Sequence, residues 1–167
     1  MDDQTLDKIQ AVPNLDAWLT PSERAFRKVL LNRLVQVGRP VTGRELAEAA
    51  NLPPAEGVAL SKALQAKGLL GCNPGGEIAF AYPVSALPTP HRVTLGDGRV
   101  FFAMCAIDAL GSAFEFAQDA SVASSCSHCR MPLNVEVAGG RLATAVPDTI
   151  QVLHVDLEQY ADWAASC

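Results

Sequence analysis

Two cysteine spacings in this 167-residue chain are able to carry chemistry. The first is Cys105-x-x-Asp108, inside Met104-Cys105-Ala106-Ile107-Asp108-Ala109-Leu110-Gly111. That phrase predicts a short helix beginning near Cys105 and ending at Gly111. Residues three apart share a helix face, so the thiol and the carboxyl would meet. A thiol in the first turn of a helix meets the positive end of the dipole, which favours thiolate. A carboxyl one turn on can pass a proton to whatever the sulfur holds. The same spacing suits a small buried thiol beside an exposed acid, because reduced cysteine is among the most buried side chains. The second spacing is Cys126-x-x-Cys129, with His128 between the cysteines. It is half of a zinc-site spacing. A closed structural zinc site takes four ligands, and no second CxxC or HxxxH is present; Cys72, His91 and His154 are the spare candidates. A thioredoxin-like redox pair requires a long helix after it, whereas Pro132 and the alternating residues 133–137 read as a strand.

These residues must be held by something, and the remaining sequence supplies a scaffold. Thr20 is a cap and Pro21 a first helical residue for a helix with apolar positions at Ala25, Phe26, Val29, Leu30, Leu34 and Val37, stopped by Gly38-Arg39-Pro40. Thr42 and Glu45 have the spacing of a capping box for a helix over 43–50. A third helix is expected over 55–67, with Val58, Ala59, Ala63 and Leu64 inward and Gly57 as a weak point. Residues 69–70 and 78–82 read as strands around Asn73-Pro74-Gly75-Gly76. Three helices and a hairpin is winged-helix order. Pro83, Pro88 and Pro90 suggest a linker, and strands are expected over 91–95, 99–103, 141–146 and 150–155, with a last helix over 158–165. The fold class expected is therefore α+β. A winged-helix-like three-helix module with an N-terminal arm occupies 1–82, and a mixed or antiparallel β core with short helices occupies 83–167.

Composition narrows the classes. Hydrophobic residues make up 49% and charged residues 19%, which suits a globular chain and argues against disorder. No apolar run approaches the ~18–20 residues that cross a bilayer, so no membrane partner is expected. Met1-Asp2-Asp3-Gln4 is acidic and lacks the apolar core of a signal peptide, which makes the cytoplasm the expected location. Five cysteines (Cys72, Cys105, Cys126, Cys129 and Cys167) are an odd number, pointing to reduced thiols rather than a disulfide framework. Net charge is −5, distributed as −3 over 1–20, +4 over 21–70 and −6 over 71–167. The basic middle allows contact with DNA, but the third helix offers a thin set of base-reading side chains: Glu56, Ser61, Lys62, Gln65 and Lys67.

Longer phrases carry a resemblance. Pro88-x-Pro90-His91-Arg92-Val93, followed by Phe101-Phe102-Ala103-Met104-Cys105-Ala106-Ile107-Asp108-Ala109-Leu110, resembles the central motif of the alkylmercury (organomercurial) lyase family. Ser124-Ser125-Cys126, then Pro132 and an alternating strand, is similar to that family's next motif. Asp162-Trp163-Ala164-Ala165-Ser166-Cys167 is similar to the approach to its second essential cysteine. The resemblance covers most of 22–167, and the Cys-x-x-Asp block in its aromatic setting is the most specific part.

The resemblance implies a lyase that breaks carbon–mercury bonds by protonolysis, releasing a hydrocarbon and Hg(II) in mercury detoxification. Cys105 would be the first mercury-binding thiolate and Cys167, 62 residues later, the second. Asp108 would deliver the proton and serve as a weaker mercury ligand, and Cys126 would be a supporting core cysteine. No cofactor is implied; Hg(II) is the bound product, and external thiols or a mercuric reductase receive it. The family's chain runs on past its second cysteine, so a C-terminally short member is expected. Cys72 and Cys129 are additions to the family pattern, and Cys126, His128 and Cys129 form a secondary candidate set for zinc or mercury. The competing expectation is a mercury- or metal-binding protein, or a winged-helix metal-responsive regulator, without lyase activity.

Overall fold

The structure, a computed structural model, describes residues 18–152. Helix α1 (Pro21–Val37) opens on a full capping box: Thr20 accepts from the Glu23 N–H, and the Glu23 carboxylate accepts from the Thr20 N–H. It ends at Gly38, whose φ of 62° is the left-handed conformation that lets its N–H return to Leu34 O. Helix α2 (Gly43–Ala49) opens on the second box, between Thr42 and Glu45. Helix α3 (Pro54–Ala66) follows.

The third helix turns a different face inward from the one expected. Gly57 and Leu64 are buried, Ala63 is half-buried, and Val58 and Ala59 are exposed, Val58 at 40%. The reason is a close helix crossing. A Cβ at Gly57 would lie 2.5 Å from Ala47 Cβ, so the bare backbone of α3 is what lets α2 approach. The residue expected as a weak point is the contact itself.

Strands β1 (Leu70–Cys72) and β2 (Ile78–Ala81) pair antiparallel, as expected of a hairpin. The segment expected as a Pro-rich linker contains a further strand, β3 (Val84–Ser85), which pairs with β2 on one side and β5 on the other. Both its residues are buried, and that burial favours sheet over linker here. Then come β4 (Arg92–Leu95), β5 (Val100–Ala103), helix α4 (Ala106–Glu115), β6 (Ala120–Ser125), β7 (Pro132–Ala138) and β8 (Arg141–Val146). All are joined in one eight-stranded sheet of order β1-β2-β3-β5-β4-β6-β7-β8, antiparallel at every pairing. The fold is α+β. The hairpin after the three helices runs on through β3 into this sheet. Ile150 to Val152, the described part of the expected last strand, are not in a strand; the rest of it and the helix expected over 158–165 lie outside the described residues.

One apolar cluster joins the helices to the sheet. Leu30, Leu31 and Leu34 of α1 belong to it, with Leu46, Leu64, Ile78 and Val84 and with Val93, Phe101, Ala109 and Val122. Helix α4 runs four residues past Gly111. Ala109, Ser112 and Ala113 are buried, and this stripe of small residues brings the helix close to β4, β5 and β6. Packing of that stripe outweighs the roughly 1 kcal/mol cost of a mid-helix glycine. At its far end, Glu115 forms a two-pronged ion pair with Arg27 of α1, at 2.7 and 3.0 Å. Arg27 also donates to Tyr82 O at 2.6 Å, fastening α4 and α1 to the end of β2.

Candidate active site

The corner between β5 and α4 positions the first pair of functional groups. Thr89 Oγ1 donates to Ala103 O at 2.7 Å, Ala103 N–H to His91 O at 2.9 Å, and Met104 N–H to Pro83 O at 3.1 Å. With the chain held there, Cys105 is the extended N-cap residue of α4 (φ −144°, ψ −178°), and its carbonyl takes the first helical hydrogen bond from Ala109. The Cys105 thiol donates to Asp108 Oδ2 at 3.3 Å. The two side chains expected to share a helix face are therefore in direct contact, and both are half-buried.

Period-two alternation builds the opposite side. Residues 91, 93 and 95 share one face of their strand, as do 120, 122 and 124 of β6. Arg92 is registered with Ala123, so His91 and Ser124 are cross-strand neighbours. Their side chains meet at 2.9 Å between His91 Nδ1 and Ser124 Oγ. Burial pushes the His91 pKa below its ordinary value. On β7, Leu133 pairs with Ser124 and Val135 with Val122, adding an apolar strip. Together with Leu110 and residues 150–152, these side chains line a cleft of about 500 Å³ that Cys105 and Cys126 also line.

Cys126 follows β6 at the start of a tight turn. Its N–H donates to Met131 O at 2.9 Å, and its carbonyl accepts from Arg130 N–H at 3.0 Å. The backbone N–H groups of Cys129 and His128 and the Cys129 thiol are directed at the Cys126 sulfur. With the nearby Arg130 charge, they hold the Cys126 thiol below the ordinary cysteine range. Cys126 is half-buried in the cleft wall, so it is not the core cysteine expected from the resemblance. His128 and Cys129 are exposed on the rim.

The remaining expected site residues fall elsewhere. Cys72 is exposed at the end of β1. Cys167 and His154 lie outside the described residues. Among the described residues, no three His, Cys, Asp or Glu side chains gather into a metal-holding group. No helix among them is long and apolar enough to cross a membrane. Sequence reasoning missed the His91–Ser124 bond and the donors around Cys126. The alternation at 91, 93 and 95 and at 120, 122 and 124 was the available signal for the first.

A thiol in contact with a carboxyl, at a helix N-terminus and open to an apolar cleft, is an arrangement able to bind a soft electrophile and move one proton to it. The crystal structure of the mercury-bound form of MerB2 superposes with a TM-score of 0.57 at 24% identity, over 76% of this chain and 68% of that one, a likeness of fold. The alkylmercury lyase of Staphylococcus epidermidis (strain ATCC 12228 / FDA PCI 1200) is 27% identical over 158 residues, which is 95% of this chain and 66% of the relative. The chain thus spans just under two thirds of that curated relative's length. The family model for alkylmercury lyase, MerB, matches residues 84–167, the stretch that runs from β3 through both cysteine spacings, and the chain belongs to the alkylmercury lyase family.

Proposed function

We propose that this protein cleaves carbon–mercury bonds of organomercurials by protonolysis. The observation that carries the reading is the 3.3 Å contact between the Cys105 thiol and the Asp108 carboxylate. That pair holds one proton between two groups. When R–Hg⁺ bonds to Cys105 Sγ, mercury takes the place of the thiol proton and Asp108 receives it. Thiolates are the soft ligands among side chains, which suits mercury. A second thiolate, assigned to Cys167 from the family pattern, then joins the metal and pushes electron density toward the Hg–C bond. The bond's electron pair goes to carbon, Asp108 gives carbon its proton, and R–H leaves. Hg(II) remains on two sulfurs until an external thiol, or a mercuric reductase, extracts it. The chain's own residues supply every proton and ligand in this scheme, so no resident cofactor takes part.

The apolar lining from Leu110, Val122, Leu133 and Val135 suits the organic part of the substrate and keeps water from competing for the proton. The three helices and the hairpin serve, in this reading, as a winged-helix-like packing module. The antiparallel bridge between Val41 and Ile78 ties hairpin to helices. Three of its cations are committed to internal ion pairs: Arg27 with Glu115, Arg39 with Glu45 at 2.6 Å, and Lys67 with Glu23 at 2.7 Å. That spends much of the positive charge a phosphate backbone would need and favours the enzyme over the DNA-binding regulator.

The test is headspace gas chromatography on phenylmercury with excess thiol. Benzene is expected from the wild type. Cys105→Ala should release none, and Asp108→Asn roughly 100- to 10,000-fold less, the range for loss of a positioned proton donor. Benzene from Cys105→Ala at the wild-type rate refutes the assignment.

A further inference from the structure

The lyase scheme leaves one built feature of the cleft unused. Cys126 opens a turn that closes on itself through the Cys126–Arg130 and Cys126–Met131 backbone bonds, and this closed turn carries both Cys126 and Cys129. Cys126 lines the same cleft as Cys105, while Cys129 is exposed to solvent. Under the lyase reading, Cys126 lines the cleft in which Hg(II) is produced and Cys129 is open to the external thiols that take it.

We propose that Cys126 and Cys129 form a second Hg(II) site, a dithiolate at the rim of the cleft that takes the metal from the Cys105 side and presents it to external thiols. The coordination number decides which metal suits it. No third His, Cys, Asp or Glu side chain joins the pair among the described residues, and tetrahedral zinc is left short of ligands. Mercury is content with two thiolates, and soft sulfur selects it. Binding is ligand exchange without redox change. Two Hg–S bonds form at Cys126 and Cys129 as two leave the donor thiolates, and the two thiol protons displaced here go to the sulfurs vacated.

The choice of Hg(II) as cargo rests on the lyase reading, whereas binding by this pair is testable without any carbon–mercury cleavage. Full-length Cys105→Ala protein is loaded with Hg(II) chloride alone and desalted into excess glutathione. Mercury per chain is then measured by elemental mass spectrometry. Cys105→Ala is expected to retain one Hg(II). Cys105→Ala/Cys129→Ala should bind roughly 100-fold or more weakly, because a lone thiolate loses the chelate advantage over glutathione. Circular dichroism checks that both variants fold, which the exposed position of Cys129 favours. Equal retention in the two variants, or none in either, overturns the proposal. Zinc held as tightly as mercury in a parallel loading overturns it too. A protein that releases no benzene yet passes this test would refute the lyase reading and leave the site standing.

Discussion

Replacing Glu115 by Ala tests how the site helix is anchored. The Arg27 side chain is 8% exposed and Glu115 23%, and the two meet through two hydrogen bonds at 2.7 and 3.0 Å. Removing the carboxylate leaves a buried guanidinium that still donates to Tyr82 O. Breaking a buried pair by deleting one partner costs about 3–5 kcal/mol, because the surviving charge is stranded. Glu115 is partly wetted, so water can reach the gap and the lower end applies. At 2–4 °C per kcal/mol for a chain of this size, about 3 kcal/mol is roughly 6–12 °C in Tm. The assay is thermal unfolding by circular dichroism, together with benzene release at low temperature. The loss should fall on stability, because Glu115 is about two helical turns from Asp108 and nearly three from Cys105. A second variant separates stranded charge from lost packing: Arg27→Met/Glu115→Leu should regain most of the lost Tm, since apolar replacement of a buried pair is often neutral or better. A Glu115→Ala protein that melts within 1 °C of wild type, or a double variant no better than the single, refutes the argument.

Gly57→Ala should destabilise the protein despite alanine's higher helix propensity. The new Cβ would lie 2.5 Å from Ala47 Cβ and 3.0 Å from Ala47 Cα, an overpacking worth about 1–3 kcal/mol against roughly 1 kcal/mol gained in propensity, and a urea midpoint above wild type would refute it. Acid should weaken the helical module. Hydrogen bonding from Lys67 and the Thr20 N–H lowers the Glu23 pKa to about 2, and Arg39 with the Thr42 N–H does the same for Glu45. Folded values below the unfolded 4.5 mean stability that is present above pH 4.5 and lost as pH falls toward 2. Glu23→Gln should flatten that acid limb in denaturant titrations at several pH values, and an unchanged slope counts against the Lys67 contact. His91 should titrate below 6.5 by NMR, since burial disfavours its charged form. Its protonation then costs stability as pH falls below that value, and a midpoint at or above 6.5 contradicts the buried placement.

What the sequence disclosed follows the range of the interactions concerned. Both capping boxes and the Cys105–Asp108 contact lie within three residues along the chain, so spacing alone specified them. Gly57 read as a weak point within its helix and Gly111 as a helix end because their local cost is visible in sequence. The partners that outweigh it are not: Ala47 lies ten residues away, and the sheet under Ala109, Ser112 and Ala113 is built from three separate strands. The far wall of the cleft needed more than alternation. His91 and Ser124 are 33 residues apart, and helix α4 intervenes in the chain. Only the strand order, with β4 between β5 and β6, brings them onto one face beside Cys105. The core place expected of Cys126 comes from the resemblance alone, and the burial of alternate β6 residues at 120 and 122 does not extend to it. Its half-buried place in the cleft wall is set by long-range strand and helix packing that local spacing does not encode. Cys105 at the start of α4 and Cys126 after β6 thus open into one space although 21 residues separate them along the chain.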